Sequence, residues 1–231
     1  MKALVFDSGP LISFTMNNLL WIVEPLKRIF KGEFCIPESV KSELVDEPLQ
    51  TKKFKFEAFQ VQELITNGVL KVLEDDLTKD ETLSLLNSAN RCFSAKGKEL
   101  TIVHYGEIAS IAAAIHLNAE AIVMDERITR ELVEHPQHLA RIMEKKLQTT
   151  VTANKENLLQ LKERTRGISI IRSTELAAVA FENGLLERYL SKSAPGLRKT
   201  LLESVLWGLK LDGCAINERG IKAIMDAELR K

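Results

Sequence analysis

The chain has 231 residues, enough for one sizeable domain with room for an appendage, and 45% hydrophobic against 28% charged residues excludes global disorder. Thirty-two Lys plus Arg balance 32 Asp plus Glu, so any binding of nucleic acid has to come from a local site and not from bulk charge. Three scattered cysteines (Cys35, Cys92, Cys214) exclude a disulfide scaffold, and neither a signal peptide nor an apolar run of membrane-spanning length is present, so a soluble, cytoplasmic protein is expected.

Taken in chain order, Ala3 to Phe6 reads as a short buried strand ending on Asp7, with Ser8-Gly9-Pro10 as a turn into a helix. Asn17 and Asn18 are candidate caps for a helix that carries Leu19, Leu20, Ile22, Val23, Leu26 and Ile29-Phe30 and stops at Gly32. Glu33 to Ile36 is a second strand, and Pro37 opens a helix that turns Val40 and Leu44 inward with Glu43 beside them. Phe54 to Ile65 reads as a helix stopped by Asn67-Gly68, Val69 to Leu73 as a strand, Asp80 to Phe93 as a helix and Ala95 to Lys98 as a loop. Tyr105-Gly106-Glu107 opens a strongly apolar helix, and Ala121 to Met124 repeats the design of the N-terminus, a buried strand ending on an acid, Asp125. Two charged helices follow at 130–147 and 154–166, then a strand at 168–171, a helix at 174–183 closed by Gly184, and a tail of helical periodicity broken at Pro195-Gly196 and Gly213.

Strands alternating with helices predict an α/β fold around a parallel sheet. Ligands in such sheets bind beyond the carboxyl ends of strands, near the point where strand order reverses. Asp7 and Asp125 both stand at such ends and are therefore candidates to meet in space.

Here the residues resemble a family. Val5 to Ile12 looks like the opening strand and turn of PIN domains, and Ile36 to Leu44 is similar to their second motif, which supplies Glu43. His104 to Ala112 resembles the Gly-Glu helix of a prokaryotic PIN branch, with Glu107 as its acid. Ala119 to Arg127 looks like the fourth motif, ending on Asp125, and the stretch from Ser173-Thr174 to Gly184-Leu185 resembles that branch's closing strand and helix. The resemblance implies a three-layer α/β nuclease domain over 1–186, with a helical insertion at about 131–166, followed by a helical C-terminal extension over 187–231. It implies a metal-dependent ribonuclease acting on single-stranded RNA. For the extension three roles are open: closing a homodimer, covering the active edge, or binding a protein partner.

The carboxylate set suits that chemistry. Acids about 5 Å apart repel by roughly 3 kcal/mol per pair at an effective dielectric near 20, a cost that a cation between them removes. An all-oxygen set favours Mg²⁺ or Mn²⁺ over Zn²⁺. Asp7 and Asp125 are assigned direct metal contacts, Glu43 and Glu107 metal-bound waters or a second ion, Ser8 the orienting of a carboxylate or water, and Glu126 an outer place. Each acid also has a plain structural reading: strand end for Asp7, solvated helix face for Glu43, first-turn helix acid for Glu107, helix cap for Asp125. Lys145, Lys146, Lys162, Arg164 and Arg166 are candidate RNA-backbone contacts flanking the pocket; Lys52-Lys53-Lys55 is a further basic cluster, read as solvated. His135 and His138 flank Pro136 and read as a surface turn, and Trp21 and Trp207 as core or interface.

Rival readings are a non-catalytic PIN-like scaffold for RNA or protein, a haloacid-dehalogenase-type phosphatase, and a Rossmann module. The second would need an acid where Gly9 stands, and no GxGxxG supports the third.

Overall fold

The computed structural model describes residues 2–190 and 195–230. In chain order the elements are β1 (Ala3–Phe6), α1 (Ser8–Met16), a 3₁₀ turn (Leu20–Ile22), α2 (Val23–Phe30), β2 (Glu33–Pro37), α3 (Glu38–Lys41), a π-helical turn (Ser42–Asp46) and α4 (Glu47–Leu49). Then come α5 (Lys55–Thr66), β3 (Lys71–Leu73), α6 (Lys79–Asn90), β4 (Phe93–Ala95), β5 (Lys98–Glu99), α7 (Tyr105–Leu117) and β6 (Ala121–Val123). The chain closes with α8 (Arg127–Glu134), α9 (Pro136–Leu147), β7 (Val151–Ala153), α10 (Lys155–Arg164), β8 (Ser169–Ile171), α11 (Ser173–Glu182), α12 (Arg198–Leu211) and α13 (Glu218–Glu228).

The main sheet has the order β3-β2-β1-β6-β8, every pair parallel, as the alternation of strands and helices predicts. Its central strands β1 and β6 are continuous buried apolar runs because both faces are covered, while the edge strands β3 and β8 each begin on an exposed polar residue. Successive side chains go to opposite sides. Leu4, Phe6, Phe34, Ile36 and Val123 enter one core, with α1, α2, α5, α11, α12 and α13. Val5, Cys35, Ile122 and Met124 enter the other, with α6 to α10. This is the three-layer arrangement. Cys35, Cys92 and Cys214 are free and buried, and no helix among the described residues is long and apolar enough to cross a membrane.

Four local expectations are corrected. The turn after Asp7 is the first turn of α1, because Asp7 itself caps the helix and a proline three residues in needs no amide partner. Asn17 closes α1 instead of opening the next helix, and Asn18 takes a left-handed conformation, φ 53°, between the two. Phe93 leaves α6 and pairs with Ala153, so that β4, β5 and β7 form a small antiparallel sheet where a helix end and a loop were expected. The charged helix at 130–147 begins earlier and is two helices, parted at His135 where Pro136 opens α9.

The extension is part of the main core. Leu202, Leu206, Leu209, Cys214, Ile216, Ile221 and Met225 are buried in the same cluster as Phe6 and Phe34.

Candidate active site

The chain runs β1 to β2 to β3 in one direction across the sheet, then returns to place β6 and β8 on the other side of β1. The reversal falls between β1 and β6, where Phe6 pairs with Val123 and the Asp7 amide donates to the Val123 carbonyl at 2.9 Å. Asp7 and Asp125 therefore emerge side by side at a topological switch point. They border a cleft of about 470 Å³ that is also lined by Ser8, Glu43, Glu107 and Glu126. The four acids expected to converge line one cleft. Its wall on the far side, Asp212-Gly213, comes from the C-terminal extension.

Each acid is delivered differently. Asp7 is 5% exposed and accepts from the Gly9 amide at 3.4 Å and from Ser110 Oγ of α7 at 3.5 Å. Burial above all, with Glu107 and Glu43 adding to it and the Gly9 and Ser8 amides opposing, pushes its carboxyl up to about 7. Asp125 is 2% exposed; Ser13 Oγ of α1 donates to one carboxylate oxygen at 3.1 Å and the Ser173 amide of α11 to the other at 2.8 Å. It does not cap the helix that follows, because Glu126 does so by accepting the Thr129 amide at 2.5 Å. Glu43 lies on the π-helical turn, a local widening of the helix that often occurs at functional sites. Burial raises its carboxyl, with Glu107 and Glu47 adding to the rise, while the Ser8 hydroxyl donates to it and pulls the other way. Glu107 keeps its plain structural part as well, taking the His104 amide at 2.7 Å in the first turn of α7.

Among the described residues six acids line the cleft, the sixth being Asp212, and no Lys or Arg does. His104 is the one side chain among these lining residues that can carry positive charge. Among the described residues, no group of three or more His, Cys, Asp or Glu side chains is arranged to hold a metal ion by itself. The acidic donor set of the cleft is all oxygen, the donor type that hard cations take. It does not suit a closed all-protein cage.

The basic residues expected to flank the pocket do not line it. Lys145 and Lys146 end α9, and Lys162 and Arg164 end α10, in the layer built on α6. Arg164 is held by Glu81 at 2.9 Å and by Ser84, and Lys162 and Arg166 line a separate groove with Glu163. His138 bonds Glu131 at 2.9 Å, and Trp21 donates to Tyr189 Oη at 3.1 Å while packing on the core.

Sequence reasoning missed Ser13, Ser110 and Ser173, which orient the two buried aspartates, and it missed Asp212. The Asn17 side-chain amide donates to Asp212 at 2.8 Å, and the Ala215 amide donates to the Asp125 carbonyl at 3.1 Å. Much of the extension's apolar surface is buried in the main core, and its Asp212-Gly213 borders the cleft.

The family described as DUF3368, PIN domain, matches residues 3–137, from the start of β1 into α9. No curated protein and no solved structure matches the chain.

Proposed function

Since the chain belongs to the DUF3368 family of PIN domains, and PIN domains are typically nucleases, we propose that it is a divalent-metal-dependent ribonuclease. Its substrate in this reading is single-stranded RNA, whose phosphodiester is hydrolysed in the carboxylate cleft. The observation that carries the reading is Asp7: a buried carboxyl beside Glu43 and Glu107, raised to about 7, in a cleft with no lining Lys or Arg. Such an arrangement is costly in isolation and becomes favourable when a cation enters.

Asp7 and Asp125 make the direct carboxylate contacts in this mechanism, with Mg²⁺ or Mn²⁺ as the ion. The Ser13 hydroxyl and Ser173 amide fix the Asp125 carboxylate, so its free lone pairs point in one direction. Ser110 and the Gly9 amide do the same for Asp7. Glu43, steadied by Ser8, and Glu107 would hold an ion through water, and Glu126 stays outside them as a helix cap. Acidification of a water and neutralisation of the phosphoryl oxygens are what the ion supplies when bound. With an ion bound beside it, Asp7 would be held ionised.

The test is cleavage of a mixed single-stranded RNA pool by purified protein in Mg²⁺, Mn²⁺ or chelator, with Asp7→Asn alongside. Activity is expected only with metal, and Asp7→Asn is expected to lose more than about a hundredfold, the upper end of what loss of an outer partner alone costs. Equal cleavage by Asp7→Asn ends the assignment. Absence of both cleavage and saturable Mn²⁺ binding leads instead to the non-catalytic scaffold.

A further inference from the structure

A second pocket adjoins the carboxylate cleft and shares Ile12 and Glu43 with it. It holds about 90 Å³, and its walls are chiefly apolar: Met16, Leu44, Pro48, Phe54 and Val61 beside Ile12. Phe54 stands at the mouth with 45% of its surface exposed. Its backbone is left-handed, φ 61° and ψ 19°, a conformation that a bulky residue seldom adopts and that costs on the order of 1–3 kcal/mol. A residue held there against its preference, with its ring half in water, is not explained by core packing. The run around it, Lys52-Lys53-Phe54-Lys55, is exposed throughout, and Lys53 Nζ lies 4.7 Å from the Phe54 ring centroid.

We propose that this pocket is a nucleobase subsite, in which an unpaired base of the RNA strand leaving the cleft stacks on Phe54 while Lys52, Lys53 and Lys55 neutralise the adjoining phosphates. The inference rests on the nuclease reading, because continuity with the cleft is what selects RNA as the occupant. Three features suit it. The shared wall at Ile12 and Glu43 makes the pocket the next stop for a chain seated over the aspartates. A single small apolar slot accepts one planar ring, whereas a helical partner needs a row of anchors along a groove. The three lysines supply beside the pocket the Lys charge that the cleft's lining lacks, and aromatic rings interleaved with lysines are the common means of holding single strands. Glu57 on the wall accepts and does not donate as a carboxylate, so it suits a base with an exocyclic amine, which makes oligoadenylate the probe of choice.

The experiment uses the full chain with Asp7→Asn, so that RNA is bound without being cut, and an oligoadenylate carrying 2-aminopurine. Binding by the parent is expected to quench the fluorophore by stacking. Phe54→Ala is expected to lose the quench and weaken binding about tenfold, since base–aromatic stacking is worth roughly 1–3 kcal/mol. Phe54→Trp should keep both. Phe59→Ala, an exposed ring of α5 outside the pocket, should change neither. Undiminished binding and quenching in Phe54→Ala overturn the proposal, as do failure of the parent to bind RNA and an effect of Phe54→Ala confined to self-association or to binding of a peptide. Cleavage by the Asp7-intact chain is scored separately. Cleavage with binding indifferent to Phe54 leaves the nuclease and removes the subsite; Phe54-dependent binding without cleavage does the reverse.

Discussion

Asp7 carries the largest electrostatic consequence of any single residue. Its folded carboxyl holds a proton up to about 7, whereas the unfolded chain releases it near 3.8. Between those values the folded state binds the extra proton, so stability is fully present below about 4 and falls as pH rises through 7. A shift of this size corresponds to a loss on the order of 4 kcal/mol across the window. The raised carboxyl of Glu43 acts in the same direction. In chelator, the parent is therefore expected to be less stable to urea at pH 8 than at pH 5, with Asp7→Asn showing a much flatter dependence and Mg²⁺ or Mn²⁺ restoring the parent. Identical pH slopes in parent and Asp7→Asn would sink this account. The same residue shows what a local pattern conveys: an apolar run ending on an acid marks Asp7 and Asp125. The hydroxyls that orient them belong to α1 and α7, and the Ser173 amide to α11, so these partners have no signature near either aspartate.

At the scale of elements, the approach of α12 to the end of α1 decides the shape of the cleft's far wall. An ideal Cβ on Gly208 would stand 2.1 Å from Asn17 Oδ1, so this glycine is what lets the two helices meet. Asn17 in turn ties the Ser13 carbonyl and Asp212 together, each at 2.8 Å. Gly208→Ala is expected to push Asn17 aside and cost about 1–3 kcal/mol. Because the clash is with one side chain, Asn17→Ala should absorb much of it, and the double variant should cost clearly less than the sum of the singles. Urea denaturation of the four proteins reads this, and strictly additive losses would show that the contact is not the reason for the glycine. The elements read poorly in advance were the short ones. β4, β5 and β7 have two or three residues each, too few for a period of two to register, and Phe93 looks as helical as the apolar residues before it. The π-helical turn that carries Glu43 leaves no mark in periodicity at all.

For the whole molecule, the extension and the sheet share one buried core. Leu202, Leu206, Leu209, Ile216, Ile221 and Met225 are buried with the sheet's own side chains. Full burial of one such side chain is worth about 1.5–3 kcal/mol, and a domain's net stability is only about 5–15 kcal/mol. A chain ending at Leu190 is therefore expected to lack a cooperative melt by circular dichroism and to show no protected amides in hydrogen exchange. A truncated chain that melts cooperatively within a few degrees of the parent would make the extension an appendage after all. Asp212-Gly213 at the cleft's wall and the buried side chains of α12 and α13 are thus joined through one core.

Strands, the order of acids and the α/β class were legible in the linear chain because each rests on near neighbours: an alternating or continuous apolar run, a helix opener, an acid at a strand end. The sharing of sites was not. Which serine meets which carboxylate, whether Lys162 and Arg164 face the cleft or another groove, and which part of the tail borders the cleft all depend on contacts between segments tens to hundreds of residues apart. Ser13 and Asp125 are separated by 112 positions, and Asn17 and Asp212 by 195. Such pairs are chosen by the packing of two cores against one sheet, where the burial of many apolar side chains outweighs any local preference.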